Sequence, residues 1–222
     1  MSCGRRSSFA PGPVGLSRRS SILSRAPVKP VVEEALETPL DFLLKECDQL
    51  TKKLPTLTEM ITEAAADTSI KKIGEGTFGE AYKCGEMVFK VMPIEGDLIV
   101  NDEEQKRASD VHAEAVIAQR LSDLAESDVQ MCPNFVKTHR ISVCKGSYGA
   151  SLLSAWDHFH DTRTSENDRP SEFTDDQLYI AFAFENGGED LEGFDIQGYE
   201  EACSLLLQVS DIEIPYASIV RS

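Results

Sequence analysis

The rhythm of apolar and polar positions changes at residue 70. Upstream, Leu40, Phe42, Leu43, Leu44, Leu50 and Leu54 form a broken helical stripe. Pro55 interrupts it, and Leu57–Ala66 allows a second short helix. Downstream, Ile70–Gly74, Glu80–Cys84 and Met87–Pro93 predict three strands. A glycine-rich turn joins the first two, and Cys84-Gly85-Glu86 joins the last two tightly. Residues 103–126 predict a long charged helix, and Phe135–Cys144 a fourth strand. Leu178, Ile180, Phe182 and Phe184 alternate with Tyr179, Ala181, Ala183 and Glu185, which predicts a fifth strand ended by Gly187-Gly188. The stretch 146–176 reads as irregular and polar. A helix is expected from about Gln197 to Val209, and Ile212, Ile214 and Pro215 suggest the start of another strand. Residues 1–40, rich in Ser, Arg, Pro and Gly with no apolar period, read as disordered.

The 222 residues are 41% hydrophobic, enough for the core of a soluble domain. No apolar run reaches the roughly 18 residues of a membrane span, and the first thirty residues have no apolar core of a secretory signal. Six scattered cysteines, none in a C-x-x-C pair, fit a reducing intracellular compartment. The net charge is −16; six basic residues and no acid in the first thirty carry +6, leaving −22 on the rest. Such an acidic body disfavours direct nucleic-acid binding and suits a basic protein tail as partner. Arg5-Arg6-Ser7-Ser8 recurs as Arg18-Arg19-Ser20-Ser21, a pattern that suits basophilic kinases and equally a plain basic linker.

Four pieces carry candidate chemistry. Gly74-Glu75-Gly76-Thr77-Phe78-Gly79 is a G-x-G-x-x-G, whose glycines allow close approach to phosphates and positive φ without steric cost. Alone it also suits a hairpin turn or a dinucleotide fingerprint. The latter needs a helix straight after the glycines, and a strand-like stretch follows instead, which favours a hairpin flap. Val88-Phe89-Lys90 places a lysine in the third strand, where it either meets phosphates or sits on an exposed edge. Val111, Glu114, Ala118 and Leu121 share one helix face, so Glu114 lies in an apolar stripe with Lys90 as the available cation, or else at the rim in water. Phe184-Glu185-Asn186-Gly187-Gly188 follows the fifth strand and leads into a loop; in a protein kinase this position is the hinge, Phe184 would then be the gatekeeper, and Asp190 would lie where an acid can reach a ribose. Asp157-His158-Phe159-His160-Asp161 lacks the distal ligands a metal site needs.

With these residues in place, the chain resembles the haspin family of atypical Ser/Thr protein kinases. The resemblance rests on the glycine loop Ile73–Glu80, on Ala155-Trp156-Asp157-His158, Asn167-Asp168-Arg169-Pro170 and Asp176-Gln177-Leu178-Tyr179, and on the hinge with Asp190-Leu191-Glu192. It implies an α+β fold: a kinase small lobe with a five-stranded antiparallel sheet and one long helix, then the start of a large lobe. The implied organisation is a basic tail 1–40, a helical extension 41–69, small lobe and hinge 70–188 with an insertion at 146–176, and 189–222 opening the large lobe. It further implies ATP as substrate, magnesium in a complete kinase, and phosphorylation of a threonine in a basic histone tail during mitosis, on chromosomes in the nucleus. Carried over, Gly74, Glu75, Gly76, Thr77, Phe78 and Gly79 cover phosphates; Lys90 and Glu114 pair; Val88 faces the adenine. Phe184, Glu185, Asn186 and Gly187 form the hinge, and Asp190 lies near ribose.

Three departures qualify the resemblance. Ala81 stands where kinases usually place Val, and Asn186 where an apolar hinge residue is common. No H-R-D-x-x-x-x-N and no D-F-G follow the hinge; His139-Arg140 precedes it. Phosphoryl transfer needs those groups to orient the hydroxyl and hold magnesium, so these residues alone are expected not to catalyse it. The rival expectations are a pseudokinase that binds nucleotide or protein without turnover, and a non-functional fragment.

Overall fold

Threonines start both N-terminal helices. Thr38 and Thr56 each accept from the amide three residues on, and Asp41 and Glu59 each accept from the threonine amide, making two capping boxes. Helix α1 (Pro39–Glu46) and helix α2 (Leu57–Ala65) follow. The computed structural model describes residues 37–126, 134–188 and 193–219. The basic tail with its Arg-Arg-Ser-Ser blocks lies outside them, apart from the start of α1.

Five strands form one antiparallel sheet in the order β1-β2-β3-β5-β4: β1 (Ile70–Gly76), β2 (Gly79–Cys84), β3 (Met87–Ile94), β4 (Thr138–Lys145) and β5 (Leu178–Glu185). Both faces are covered. On one face α2 and helix α4 (Ala150–Arg163) bury Tyr82, Phe89, Val91, Tyr179 and Ala181. On the other, α1 and helix α3 (Ala108–Glu126) enclose Met92, Val143, Ile180 and Phe182. Alternate residues of the central strands therefore feed two cores, which explains the nearly unbroken apolar run in β5.

The outer edge of β4 is closed by the helical extension. The buried Gln49 side chain accepts from the Val143 amide (2.7 Å) and donates to the Val143 carbonyl (3.0 Å), while the Lys145 amide donates to the Pro55 carbonyl (2.9 Å). An open strand edge, a template for unwanted pairing, is thereby satisfied.

Three elements differ from expectation. The stretch 146–176 is not irregular throughout, because α4 occupies Ala150–Arg163. Its buried residues Leu152, Ala155, Trp156 and Phe159 recur at i, i+3, i+4 and i+7, a helical period that the polar residues between them obscured. The long helix begins at Ala108, not 103. Asn101 and Asp102 take positive φ (54° and 64°), and a bridge between Ile94 and Lys106 turns the chain back along β3 first. At the C-terminal end, helix α5 runs over Tyr199–Ile219, where a strand was expected from Ile212. No glycine interrupts that span, and its one proline, Pro215, falls near the C-terminal end of the helix.

Candidate functional site

A β-bulge between Lys72 and Gly74 breaks the register of β1 just before the glycines. The hairpin that follows, residues 74–80, roofs a cleft of about 320 Å³ whose wall is residues 75–81 together with Lys90, Met92 and Lys106. The flap glycines do not take positive φ. Gly79 is required for packing, since a Cβ there would stand 2.1 Å from the Val91 carbonyl oxygen. Gly76 has nothing within 4 Å of such a Cβ. Among the described glycines, positive φ belongs instead to Gly85, in the β2–β3 turn, to Gly146, just after β4, and to Gly188, after β5.

Lys90 projects from β3 and places Nζ 2.5 Å from Oε1 of Glu114 on α3. The expected pair is therefore formed. It is not buried: the side chains are 44% and 34% exposed, and the buried stripe of α3 runs through Ala108, Val111, Ala115 and Ser122, with Glu114 on its flank. A pair so exposed is screened by water and adds little to stability, so its value lies in holding the ammonium at the cleft. The position of α3 is fixed separately. Glu95, at φ 63°, accepts from the Ala108 amide (2.6 Å), and α1 packs along the helix.

Val88 lies two residues before Lys90 and pairs with Phe184 across the sheet. Phe184 stacks on Phe182 (5.8 Å between centroids) and is partly buried. Glu185, Asn186 and Gly187 are exposed at the end of β5. The Glu185 amide donates to the Lys137 carbonyl and the Asn186 amide to the Glu86 carbonyl, which fixes the hinge against both neighbouring strands. Asp190 lies outside the described residues. Among the described residues, no group of three His, Cys, Asp or Glu side chains is placed to hold a metal ion. His160 instead stacks on Trp156 and accepts from the Ser165 amide.

What the sequence reading missed is the scaffold behind the flap. The Lys72 side chain is fully buried, with Nζ 2.6 Å from Glu75 Oε2, 2.7 Å from Glu80 Oε2 and 3.0 Å from Ser165 Oγ. Its ammonium also faces the rings of Phe159 (4.6 Å) and Trp156 (5.0 Å) on α4. Burial raises the Glu75 carboxyl, but bonds from Lys72, Ser165 and the Glu166 amide outweigh that and hold it below its ordinary range. At Glu80 burial prevails over Lys72 and Asn167, and the carboxyl is pushed up.

Asn167 Nδ2 donates to the Gly76 carbonyl (3.1 Å), to Glu80 Oε1 (3.1 Å) and to the Gly79 carbonyl (3.4 Å). At the tip, Asn101 Nδ2 donates to the Thr77 carbonyl (3.1 Å), and Asn101 is itself locked to Asp168 by two bonds. Arg169 grips Asp157 of α4 through a two-bond fork at 2.7 and 2.9 Å. The flap is therefore fastened from behind rather than free to swing. The signal available in the sequence was Lys72, a lysine inside a strand with acids three and eight residues on.

Comparison with known proteins agrees with this architecture. The family model described as haspin like kinase domain matches residues 20–215. The chain is 38% identical over 177 residues to the serine/threonine-protein kinase haspin homolog of Arabidopsis thaliana, covering 78% of this chain and 29% of that protein. It is 40% identical over 126 residues to serine/threonine-protein kinase haspin of Bos taurus, covering 55% and 16%. With haspin of Mus musculus it shares 34% over 181 residues, covering 79% and 24%. The chain thus spans less than a third of the length of these relatives. A five-stranded sheet, a roofed cleft with a lysine–glutamate pair, and a family match over most of its length place this chain in the haspin-like kinase family.

Proposed function

We propose that these residues form the nucleotide-binding lobe of a haspin-type Ser/Thr protein kinase, with ATP held between the flap and the hinge. The observation that carries the reading is the Lys90–Glu114 contact at 2.5 Å beneath the glycine hairpin. In phosphoryl transfer an ammonium so placed meets the α- and β-phosphates, and the glutamate keeps it aimed there. Gly76 leaves the roof clear, and the partly buried Phe184 pairs across the sheet with Val88, two residues before Lys90.

Transfer itself needs a carboxylate that orients the acceptor hydroxyl and groups that hold magnesium. No H-R-D-x-x-x-x-N stands in these 222 residues. The activity proposed for them alone is nucleotide binding, and transfer requires that motif in the same polypeptide. The acidic body, −22 outside the basic first thirty residues, supports a basic protein tail as the acceptor. By family, that acceptor is a threonine of a histone tail, modified on mitotic chromosomes in the nucleus.

The test is thermal melting of the purified chain with a non-hydrolysable ATP analogue at saturating concentration. At 100 Kd a ligand stabilises the folded state by about 2.7 kcal/mol. The wild type should show that upward shift, and Lys90→Met should lose it while melting normally without ligand. An equal shift in Lys90→Met would overturn the assignment.

A further inference from the structure

The geometry points to Lys106 as a second phosphate-binding cation of the cleft, contacting the terminal phosphates of a nucleoside triphosphate beneath the flap tip. This rests on the nucleotide reading above and goes beyond it, since kinase motifs assign no role to this position. Lys106 is the last residue but one before α3, and its backbone is tied to β3: the Glu95 amide donates to its carbonyl at 3.1 Å. Its side chain turns into the cleft wall, with Nζ 4.5 Å from the ring centroid of Phe78 at the flap tip.

Charge balance in the cleft distinguishes Lys106. Four of its lining side chains are ionisable: Glu75, Glu80, Lys90 and Lys106. Both glutamates contact Lys72 behind the flap and share its single ammonium. Lys90 is matched by Glu114. Lys106 alone has no carboxylate within 4 Å among the described residues, and it is only partly exposed. A half-buried ammonium resting on a ring, with an open cavity beside it, is an anion site awaiting its counter-charge.

The neighbouring helix terminus does not compete for that role. The Ala108 amide is already spent on Glu95, and the Asp110 carboxylate caps the Arg107 amide. Reach from the flap tip selects the end of the polyphosphate rather than the α-phosphate beside Lys90. The ligand implied is a nucleoside triphosphate, bound more tightly than the diphosphate and far more tightly than the nucleoside.

Calorimetric titration of the full chain with adenosine, ADP and a non-hydrolysable ATP analogue tests this, using wild type, Lys106→Gln and Lys106→Arg. Lys106→Gln should weaken triphosphate binding by at least about tenfold, the scale of one charge-assisted contact, and leave adenosine affinity unchanged. Lys106→Arg should retain most of the triphosphate affinity. Unaltered triphosphate binding in Lys106→Gln overturns the proposal while leaving the nucleotide reading intact. So does an equal loss for adenosine and triphosphate, which would make Lys106 a support for Phe78 only. A wild-type chain that binds none of the three ligands removes the nucleotide reading and this proposal together.

Discussion

Replacing Lys72 by Met tests whether the flap is held by one buried cation. The methionine keeps a stem over Trp156 and Phe159, so packing is largely preserved and the change is electrostatic. Glu80, 7% exposed, and Glu75, 19% exposed, would be left without their ammonium. Removing one partner of a buried ion pair costs about 3–5 kcal/mol, and the lost ring contacts about 0.5–2 kcal/mol more. Relaxation of Glu75 toward solvent offsets part of this, so a loss of roughly 3 kcal/mol is expected. For a chain of this size that corresponds to a fall in Tm of about 6–12 °C. Urea unfolding followed by circular dichroism measures the stability, and hydrogen exchange at residues 74–80 should rise in parallel. The double variant Lys72→Met/Glu80→Gln removes the more deeply buried of the two stranded carboxylates and should recover about 1 kcal/mol or more. A loss under about 1 kcal/mol in the single variant, or a double variant no more stable than the single, refutes the reasoning.

Two further outcomes follow from the same scaffold. Gly79→Ala forces a Cβ against the Val91 carbonyl oxygen and Met92 Cγ, at 2.1 and 2.8 Å, whereas Gly76→Ala meets nothing within 4 Å. Denaturant midpoints should therefore show a loss of about 2 kcal/mol or more for the first and under about 1 kcal/mol for the second; equal losses would count against the packing role of Gly79. The Glu75 carboxyl is held below its ordinary value of 4.5, so its contribution is fully present above that pH and is lost as pH falls through the lower folded value. The gap in Tm between wild type and Glu75→Gln should accordingly be constant near neutrality and shrink below pH 4.5. A gap that widens there would reverse the sign assigned to Glu75.

Much of this protein was determined by its sequence alone. Short apolar runs bounded by glycine turns located all five strands within a few residues, because the central strands bury side chains on both faces of one sheet and so read as nearly continuous apolar stretches. Glycine spacing, a strand lysine and a helix glutamate at the right intervals located the cleft and its ion pair, since such pairs are set by element order and helix periodicity. Tertiary structure decided the rest. It placed Lys72, Ser165 and Asn167, up to 95 residues apart in the chain, around the back of the flap, and it left Lys106 facing the cleft without a carboxylate. It also put Glu114 at the rim rather than inside the apolar stripe. Those outcomes depend on which distant side chains meet in three dimensions, and a residue's charge balance is a property of its surroundings rather than of its neighbours in sequence.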